Sequence, residues 1–534
     1  MTRSELRVSG GNDVVLPGAE GDDTVGAGGG LFGWFALRPK RPEGEGGDAA
    51  ATGDAGAEDS AAGSSEADAS DGATPSSASA SASAASCAPS PPASASSALF
   101  PSDPRPPVPS CKVHVLDLAS LESAPRCDAS DESVWPRSLL NASDWKTLMG
   151  VDYWTGQHST NHWTSAAARA LPTHTADEEA ADLIVVDSSC LEARVLGQRF
   201  IARVDPEAPK PAADPHERLV EALAKVQQRP RFKRRRGVDH LTSLHWPGYS
   251  MAIRRAFRLG GRAFVATNER ALFGGGDGDN AELGIGVIEP YVAVENIPET
   301  PKPFEERTRL LFVAHGCADG NNPKQYASGK VMRGRLVAAL NRLNVTDDHV
   351  ISRCTCGVCP SRIPHDRQMR EMEETRFCPV MPGDSQGTRH LSETFLAGCI
   401  PVFIGPPFAT MPLAEHVDYA ASSVFLSVRT KTWFFTGKGS NAFNHPHVAD
   451  AYGIDALVSP RDIKHLETIE DAYRYLLSIP DDVVRSKLEA VKKYRPFFSH
   501  APIPGEERSW LVDAVLNAAC RVAEERTSYP PRGL

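Results

Sequence analysis

The 534-residue sequence lacks any long apolar run: no stretch approaches the roughly 20 apolar residues that a membrane-spanning helix requires. The one apolar patch of the first 40 residues, at 31–37, follows a glycine-rich stretch and is too far from the first residue to be typical of a signal peptide. The sequence therefore predicts neither a transmembrane helix nor a signal peptide.

Apolar residues are also missing from a long segment near the N-terminus. No Val, Ile, Leu, Phe or Trp occurs between Pro42 and Ala98, and Ala, Ser, Gly, Pro, Asp and Glu make up nearly all of the chain from Pro42 to Ser110. Such a segment buries too little apolar surface to offset the entropy lost on ordering. Residues 1–110 are therefore predicted to be a disordered, acidic, low-complexity tail.

An excess of positive charge is the third absence. The chain carries 57 basic and 68 acidic residues, a net charge of −11, and residues 1–104 hold 15 of the acidic residues but only 5 of the basic ones. The rest of the chain is therefore almost neutral. This balance is not typical of a basic nucleic-acid-binding domain, and we expect no nucleic-acid partner.

Cysteine is not scarce. Ten of the 11 cysteines lie between Cys111 and Cys520, and the odd total leaves at least one without a partner in the chain. Two glycosylation sequons begin at Asn141 and Asn344. Together these features favour a lumenal or extracellular location.

Short apolar runs alternate with amphipathic stretches after residue 110. Strands are predicted at 112–118, 183–187, 310–315, 349–352, 377–381, 400–404 and 424–428, and helices at 176–181, 331–343, 389–397, 461–477, 481–494 and 506–525. This alternation is typical of an α/β fold with parallel sheets. The length suggests two sheets, in domains at 111–300 and 301–500, with a proline-rich hinge at 297–304 and a C-terminal helix and tail at 501–534.

Residues 375–402 read as a strand, a loop of small residues, a helix and a second strand. A glycine in such a loop lets the backbone approach a phosphate, and the helix that follows offers unpaired N–H groups. Arg389, in the first helical turn, is placed to bind a diphosphate, and the carboxylate of Glu393 to accept hydrogen bonds from ribose hydroxyls. An ordinary i,i+4 surface pair of Arg389 and Glu393 is the alternative.

This stretch resembles the C-terminal signature of the exostosin-like glycosyltransferases, the GT47-type family with the GT-B fold. The signature is a Phe-Cys strand, a Pro-x-Gly-Asp turn, an Arg and a Glu one helical turn apart, and Gly-Cys-Ile-Pro-Val. The matching residues are Phe377, Cys378, Pro382, Gly383, Asp384, Arg389, Glu393, Gly398, Cys399, Ile400, Pro401 and Val402. Weaker similarity covers the chain from Cys111 to Tyr494.

The resemblance implies two Rossmann-like domains that face a cleft, the first binding the acceptor and the second a nucleotide sugar. It implies an inverting transfer from a UDP-sugar to a hydroxyl of a glycan or glycoprotein, with no metal or other cofactor, in the Golgi lumen or at the Golgi membrane. Carried over, Gly383 and Asp384 shape the donor loop, Arg389 binds the diphosphate and Glu393 the ribose. Arg333 and Arg335 supply further cations.

The general base is sought in the first half of the chain. Asp239 and His240 are the candidates that lie in a Gly-Val-Asp-His segment similar to the family's Gly-Arg-Asp-His motif, and His158 and Asp187 are further candidates. A structural role for His240 is the alternative.

Cys354, Cys356 and Cys359, with His365 and Cys378 downstream, have short spacings that suit a zinc site. Disulfides and free thiols are the alternatives, and disulfides are the simpler account in a lumenal protein.

Two other functions compete with glycosyl transfer. The basic run 229–236 is typical of a polyanion- or nucleic-acid-binding patch, or of a solvated loop. A catalytically inactive scaffold of the same fold is the other alternative, although the segment around Arg389 and Glu393 matches the family's pattern.

Overall fold

The computed structural model describes residues 100–118, 121, 159–189, 191–192, 215–243, 263–267, 286–314, 330–345, 350–352, 364–381, 387–404, 411–428, 458 and 460–528. The predicted tail lies almost entirely outside these residues. Within them, no helix is both long and apolar enough to cross a membrane.

The first sheet contains five parallel strands in the order β1-β2-β3-β4-β5. Its strands are β1 (Val113–Asp117), β2 (Leu183–Asp187), β3 (His240–Ser243), β4 (Phe264–Thr267) and β5 (Gly286–Ile288). β2 is buried along its whole length, as its continuous apolar sequence predicts for a strand covered on both faces.

The second sheet contains six parallel strands in the order β11-β10-β9-β8-β6-β7. Its strands are β6 (Arg309–Val313), β7 (Val350–Ser352), β8 (Thr375–Val380), β9 (Ile400–Ile404), β10 (Val424–Val428) and β11 (Ile463–Leu466). The predicted α/β fold with two parallel, Rossmann-like sheets is confirmed.

The helices connect and cover the strands. They are α1 (Thr160–Arg169), α2 (Pro215–Gln228), α3 (Pro230–Arg235), α4 (Lys330–Arg342), α5 (His365–Glu373), α6 (Arg389–Leu396), α7 (Tyr419–Ser422), α8 (Glu470–Ser478), α9 (Asp481–Tyr494) and α10 (Trp510–Ser528). The segment 176–181, predicted as a helix, instead consists of turns and bends.

The first sheet is covered on both faces, because successive apolar side chains of its strands point to opposite faces and each face packs in a cluster of its own. Leu116, Ile184 and Val186 pack with Leu219 and Leu223 of α2 in one cluster. Side chains of the opposite phase belong to a larger cluster that continues into the second sheet. α1 and α10 pack over the first sheet, so the chain returns there after completing the second.

Two disulfides between described residues hold this arrangement. Cys111, just before β1, is bonded to Cys520 of α10, and Cys378 of β8 is bonded to Cys399 in the turn before β9. Cys378 and Cys399, two residues of the signature, are both buried. Their bond to each other is a finding of the structure.

The structure describes the last eleven residues of the predicted tail, from Phe100 to Ser110. Arg105 stacks over the ring of Trp510, and Asn517 donates a hydrogen bond to the carbonyl of Pro107. The described part of the predicted tail, residues 100–110, therefore contacts α10.

Candidate active site

The second sheet has a topological switch point between β6 and β8. From β6 the chain first moves to β7 on one side and then returns to β8 on the other. The connections diverge there, and ligands of open parallel sheets bind in the crevice beyond the carboxyl ends of such strands. The segment predicted to bind the donor starts at the carboxyl end of β8.

Arg333 lies at this crevice. It projects from α4, the helix that follows β6, and its Nη2 donates a hydrogen bond of 2.8 Å to the carbonyl of Met381, directly after β8. Its side chain is buried. Arg335 is half-buried on the same helix. Arg333 therefore lies beside the end of β8, where the predicted donor loop starts, whereas Gly383 and Asp384 lie outside the described residues.

Helix α6 begins at the far side of the same loop. Thr388 caps it, because its side chain accepts a hydrogen bond of 3.3 Å from the backbone N–H of His390. Arg389, the first helical residue, is buried, and the ring of His390 stacks on Phe312 of β6. The cap and the stacking fix the N-terminus of α6 over the switch point.

The predicted pair of Arg389 and Glu393 is present, but it is buried rather than a surface pair. Glu393 is 1% exposed, and its Oε1 lies 2.9 Å from Nε of Arg389 and 3.2 Å from Nε2 of His365. Its Oε2 accepts a 2.7 Å hydrogen bond from Gln368 and lies 3.6 Å from Nδ1 of His390.

The charge of Glu393 is set by these neighbours. Burial by itself would raise the pKa of Glu393, but the hydrogen bond from His365, the adjacent ring of His390 and the charge of Arg389 outweigh it and hold the pKa well below its usual range. Glu393 is therefore an ionised acceptor at neutral pH. Sequence reasoning missed Gln368, and it treated His365 only as a possible zinc ligand.

The carboxyl edge of the first sheet is also polar. Asp187, Ser243 and Thr267 end β2, β3 and β4, and Glu289 directly follows β5. All four are buried. The edge at which parallel sheets bind ligands therefore carries a row of polar side chains. This row could not be predicted, because β3, β4 and β5 are too short to be recognised in the sequence.

Asp187 is held in place within this row. Its Oδ2 lies 2.6 Å from Nη2 of Arg169, and its Oδ1 accepts hydrogen bonds from the backbone and side chain of Ser189. Arg169 is 43% exposed at its side chain, so the pair reaches the surface. Of the four base candidates, Asp187 is thus at a carboxyl strand end, and His158 lies outside the described residues.

Two more carboxyl groups lie behind Asp187. Burial raises the pKa of Glu192 to about 8, with the charges of Asp187 and Glu289 adding to it despite the hydrogen bond from Ser188. Glu289 accepts a hydrogen bond from Ser243. Glu192 is therefore protonated and uncharged at neutral pH, so it adds no negative charge beside Asp187.

Asp239 and His240 are located differently. His240 is the first residue of β3, at the amino end of the strand, and both side chains are fully buried. Asp239 accepts a 2.9 Å hydrogen bond from Arg231 and lies 2.8 Å from Nδ1 of His240, whose ring packs edge-on against Phe232. This placement favours the structural alternative, because a base must reach the acceptor hydroxyl.

The basic run 229–236 is largely paired. Arg229 and Arg234 form ion pairs with Glu178 and Glu179, and Arg231 and Arg235 with Asp239. The run also forms α3 rather than a loop. Three carboxylates thus pair with four of the six basic side chains of the run, so part of its positive charge is neutralised within the chain.

The cysteine cluster proposed for zinc is not assembled in the described part of the chain. Cys378 is in a disulfide and His365 contacts Glu393, while Cys354, Cys356 and Cys359 lie outside the described residues. Among described residues, no group of three or more metal-binding side chains occurs.

A comparison with protein families identifies the class of protein to which the chain belongs. The model of the Exostosin GT47 domain matches residues 109–432, more than half of the chain. The chain belongs to the exostosin GT47 family. The match spans the first sheet and five of the six strands of the second, all but β11. It includes β6, β8, α6 and β9, which surround the switch point described above. A search of curated proteins found no significant match.

Membership in the exostosin family makes the chain a glycosyltransferase, a class that uses a nucleotide sugar and an acceptor glycan. The expectation from residues 375–402 is thus confirmed at the level of the family. Exostosins are generally associated with the Golgi.

Proposed function

We propose that this exostosin transfers a sugar, with inversion, from a UDP-sugar to a hydroxyl of a glycan or glycoprotein. The observation that carries the proposal is the convergence of Arg333, Arg389 and Glu393 on the switch point between β6 and β8. Two cations and an ionised carboxylate there match the chemistry of a nucleoside diphosphate, with negative phosphates at one end and ribose hydroxyls at the other.

The buried arginines would stabilise the charge that develops on the leaving diphosphate. Preorganised cations in a site sheltered from water interact more strongly with such charge than exposed ones do. The N-terminus of α6 adds backbone N–H groups. The proposed reaction therefore requires no metal ion, and transfer measured in EDTA tests this.

Glu393 would bind the ribose through an oxygen that now contacts protein groups. The 3.6 Å contact of Oε2 with His390 is the longest of its four described contacts and is beyond hydrogen-bond length. A ribose hydroxyl would replace this contact at least cost.

The donor site is tested by titrating UDP, GDP and CMP into the purified protein in a calorimeter, for the wild type and for Glu393→Gln. We expect UDP to bind, and Glu393→Gln to weaken its binding roughly tenfold, as for loss of a hydrogen bond to a charged group. Glutamine keeps the shape of the side chain, so the fold should survive, and a melting curve checks this.

Glu305→Gln is the matched control. Glu305 lies on the 3-10 helix Phe304–Glu306 and forms an exposed ion pair with Arg485, so its substitution makes the same chemical change outside the proposed site. Its UDP affinity should equal that of the wild type. If Glu393→Gln binds UDP as tightly as the wild type does, the proposed donor site is wrong. If GDP or CMP binds and UDP does not, the donor is a sugar of that nucleotide rather than a UDP-sugar.

Asp187 is the base that we propose for the acceptor hydroxyl, because it lies at the carboxyl edge of the first sheet, held by Arg169. Asp187→Asn should lower kcat at least a hundredfold, the usual scale of general-base catalysis, and leave UDP affinity unchanged. Steady-state transfer with the donor identified above measures both. Loss of less than threefold in kcat would reject Asp187 as the base.

We further propose that the enzyme works in the Golgi lumen. The family association and the two disulfides support an oxidising compartment. Localisation of the tagged protein by microscopy tests it, and a cytosolic distribution would contradict it.

A further inference from the structure

A chain of side-chain contacts links Glu393 to the linker, the segment 289–308 that joins the two sheets. Nδ2 of Asn296 lies 2.9 Å from Nδ1 of His365, and Nε2 of the same ring lies 3.2 Å from Oε1 of Glu393. Asn296 precedes the proline-rich stretch between β5 and β6, and His365 is the first residue of α5. Three separate elements therefore meet through one imidazole ring.

The polarity of these contacts fixes the proton on the ring. An amide nitrogen can only donate, so Nδ1 of His365 accepts from Asn296. The proton of the neutral ring is then on Nε2, which donates to the carboxylate of Glu393. Asn296 thus selects the tautomer that can hold Glu393.

His365 also sets the orientation of the carboxylate. His365 and Arg389 both contact Oε1 of Glu393, whereas Gln368 donates to Oε2. Contacts on both oxygens fix the plane of the carboxylate group. Without His365, Oε1 would depend on Arg389, the cation proposed for the diphosphate.

The linker contacts the donor helix as well. The carbonyl of Tyr291 accepts a 2.8 Å hydrogen bond from Ser392 of α6, and Arg495 donates to the carbonyls of Pro298 and Leu396. Asn296 itself has a left-handed backbone, φ 52°, which suits Asn or Gly. The linker is therefore shaped to present Asn296 to α5 while it is bonded to α6.

We propose that His365 is a positioning residue for donor recognition: it holds Glu393 in the orientation that receives the ribose, in a tautomer set by Asn296 of the linker. The inference rests on the proposed function, because it deepens the role of Glu393. It assigns a function to a histidine that lies outside the signature segment 375–402.

The test compares binding of UDP with binding of its 2′-deoxy and 3′-deoxy analogues, by calorimetry. His365→Leu should weaken UDP binding roughly tenfold, the scale for one charged hydrogen bond. It should have little effect on the analogue that lacks the hydroxyl bound by Glu393. A merely structural role would weaken all three ligands alike.

Conservative variants separate positioning from packing. In His365→Gln the side-chain amide can donate to Glu393, so most of the UDP affinity should return. Asn296→Gly removes the amide but tolerates the left-handed backbone, and it should lower UDP affinity about threefold. His465→Leu, at an exposed histidine of β11, is the matched control and should bind UDP as the wild type does.

Each outcome decides something. If Glu393→Gln loses UDP affinity and His365→Leu does not, the positioning role is wrong and the proposed donor site stands. If Glu393→Gln binds UDP normally, both fall. If His365→Leu does not fold, equal losses for UDP and both deoxy analogues in His365→Gln and Asn296→Gly would overturn the inference.

Discussion

Gly398 shows how much one residue contributes to the donor helix. It follows α6 with φ +70°, a left-handed conformation that terminates a helix. A Cβ there would lie 2.4 Å from Cβ of Pro301 and 2.8 Å from Nη2 of Arg307. Arg307 is buried and donates to the carbonyls of Lys302 and Thr375, so it has little room to move.

Gly398→Ala should therefore destabilise the protein by about 3 kcal/mol or more, since backbone strain of about 1–3 kcal/mol adds to the steric clash. Gly505→Ala is the matched control, because Gly505 has φ +89° but a Cβ added to it would meet no described atom within 4 Å. It should show the strain alone. Urea denaturation measures both variants, and equal losses would mean that the contact with Pro301 is relieved without cost.

At the scale of elements, a strong apolar pattern was sufficient to predict a strand from the sequence, whereas a weak pattern was not. β2, β6, β9 and β10 were predicted because each contains at least three consecutive apolar residues, which the structure buries. β11 was predicted as helix, because Ile463 and Leu466 are three residues apart, a spacing typical of a helix, and the strand lies just before a true helix, α8.

The donor site was predictable where one helix carries it. Arg389 and Glu393 are one turn apart on α6, so their pairing follows from helical spacing. His365 and Gln368 reach Glu393 from α5, and Asn296 reaches His365 from the linker. No local pattern in the sequence encodes a contact between separate elements, which is why these partners were missed.

The base candidates show the same limit on the acceptor side. Asp239 and His240 stood out because they are adjacent in a family-like segment, but adjacency does not say which end of a strand they occupy. The start of β3 at His240 places both at the amino edge, whereas Asp187 ends β2 at the carboxyl edge. Strand boundaries, the least secure part of a sequence prediction, thus decide which candidate lies at the edge where parallel sheets bind ligands.

At the scale of the whole molecule, the two disulfides differ in accessibility. Cys378 and Cys399 are fully buried, whereas Cys111 and Cys520 are half-buried. Thiol–disulfide exchange requires a thiolate to reach the sulfur. A mild reductant should therefore open the bond between Cys111 and Cys520 first.

Alkylation of the briefly reduced protein, followed by peptide mass spectrometry, measures this order. Cys111 and Cys520 should be labelled well before Cys378 and Cys399. Labelling of all four at one rate would indicate that reduction follows global unfolding rather than local access.

The return of α10 to the first sheet has a consequence for biosynthesis. α10 packs against α1, β2, β4 and β5, which are made more than 200 residues earlier. Domains usually fold in the order in which the ribosome releases them. Here the first sheet cannot complete its core until residues 510–528 have emerged, so the half of the chain with the first sheet must wait for the half with the second, and the two mature together as synthesis ends.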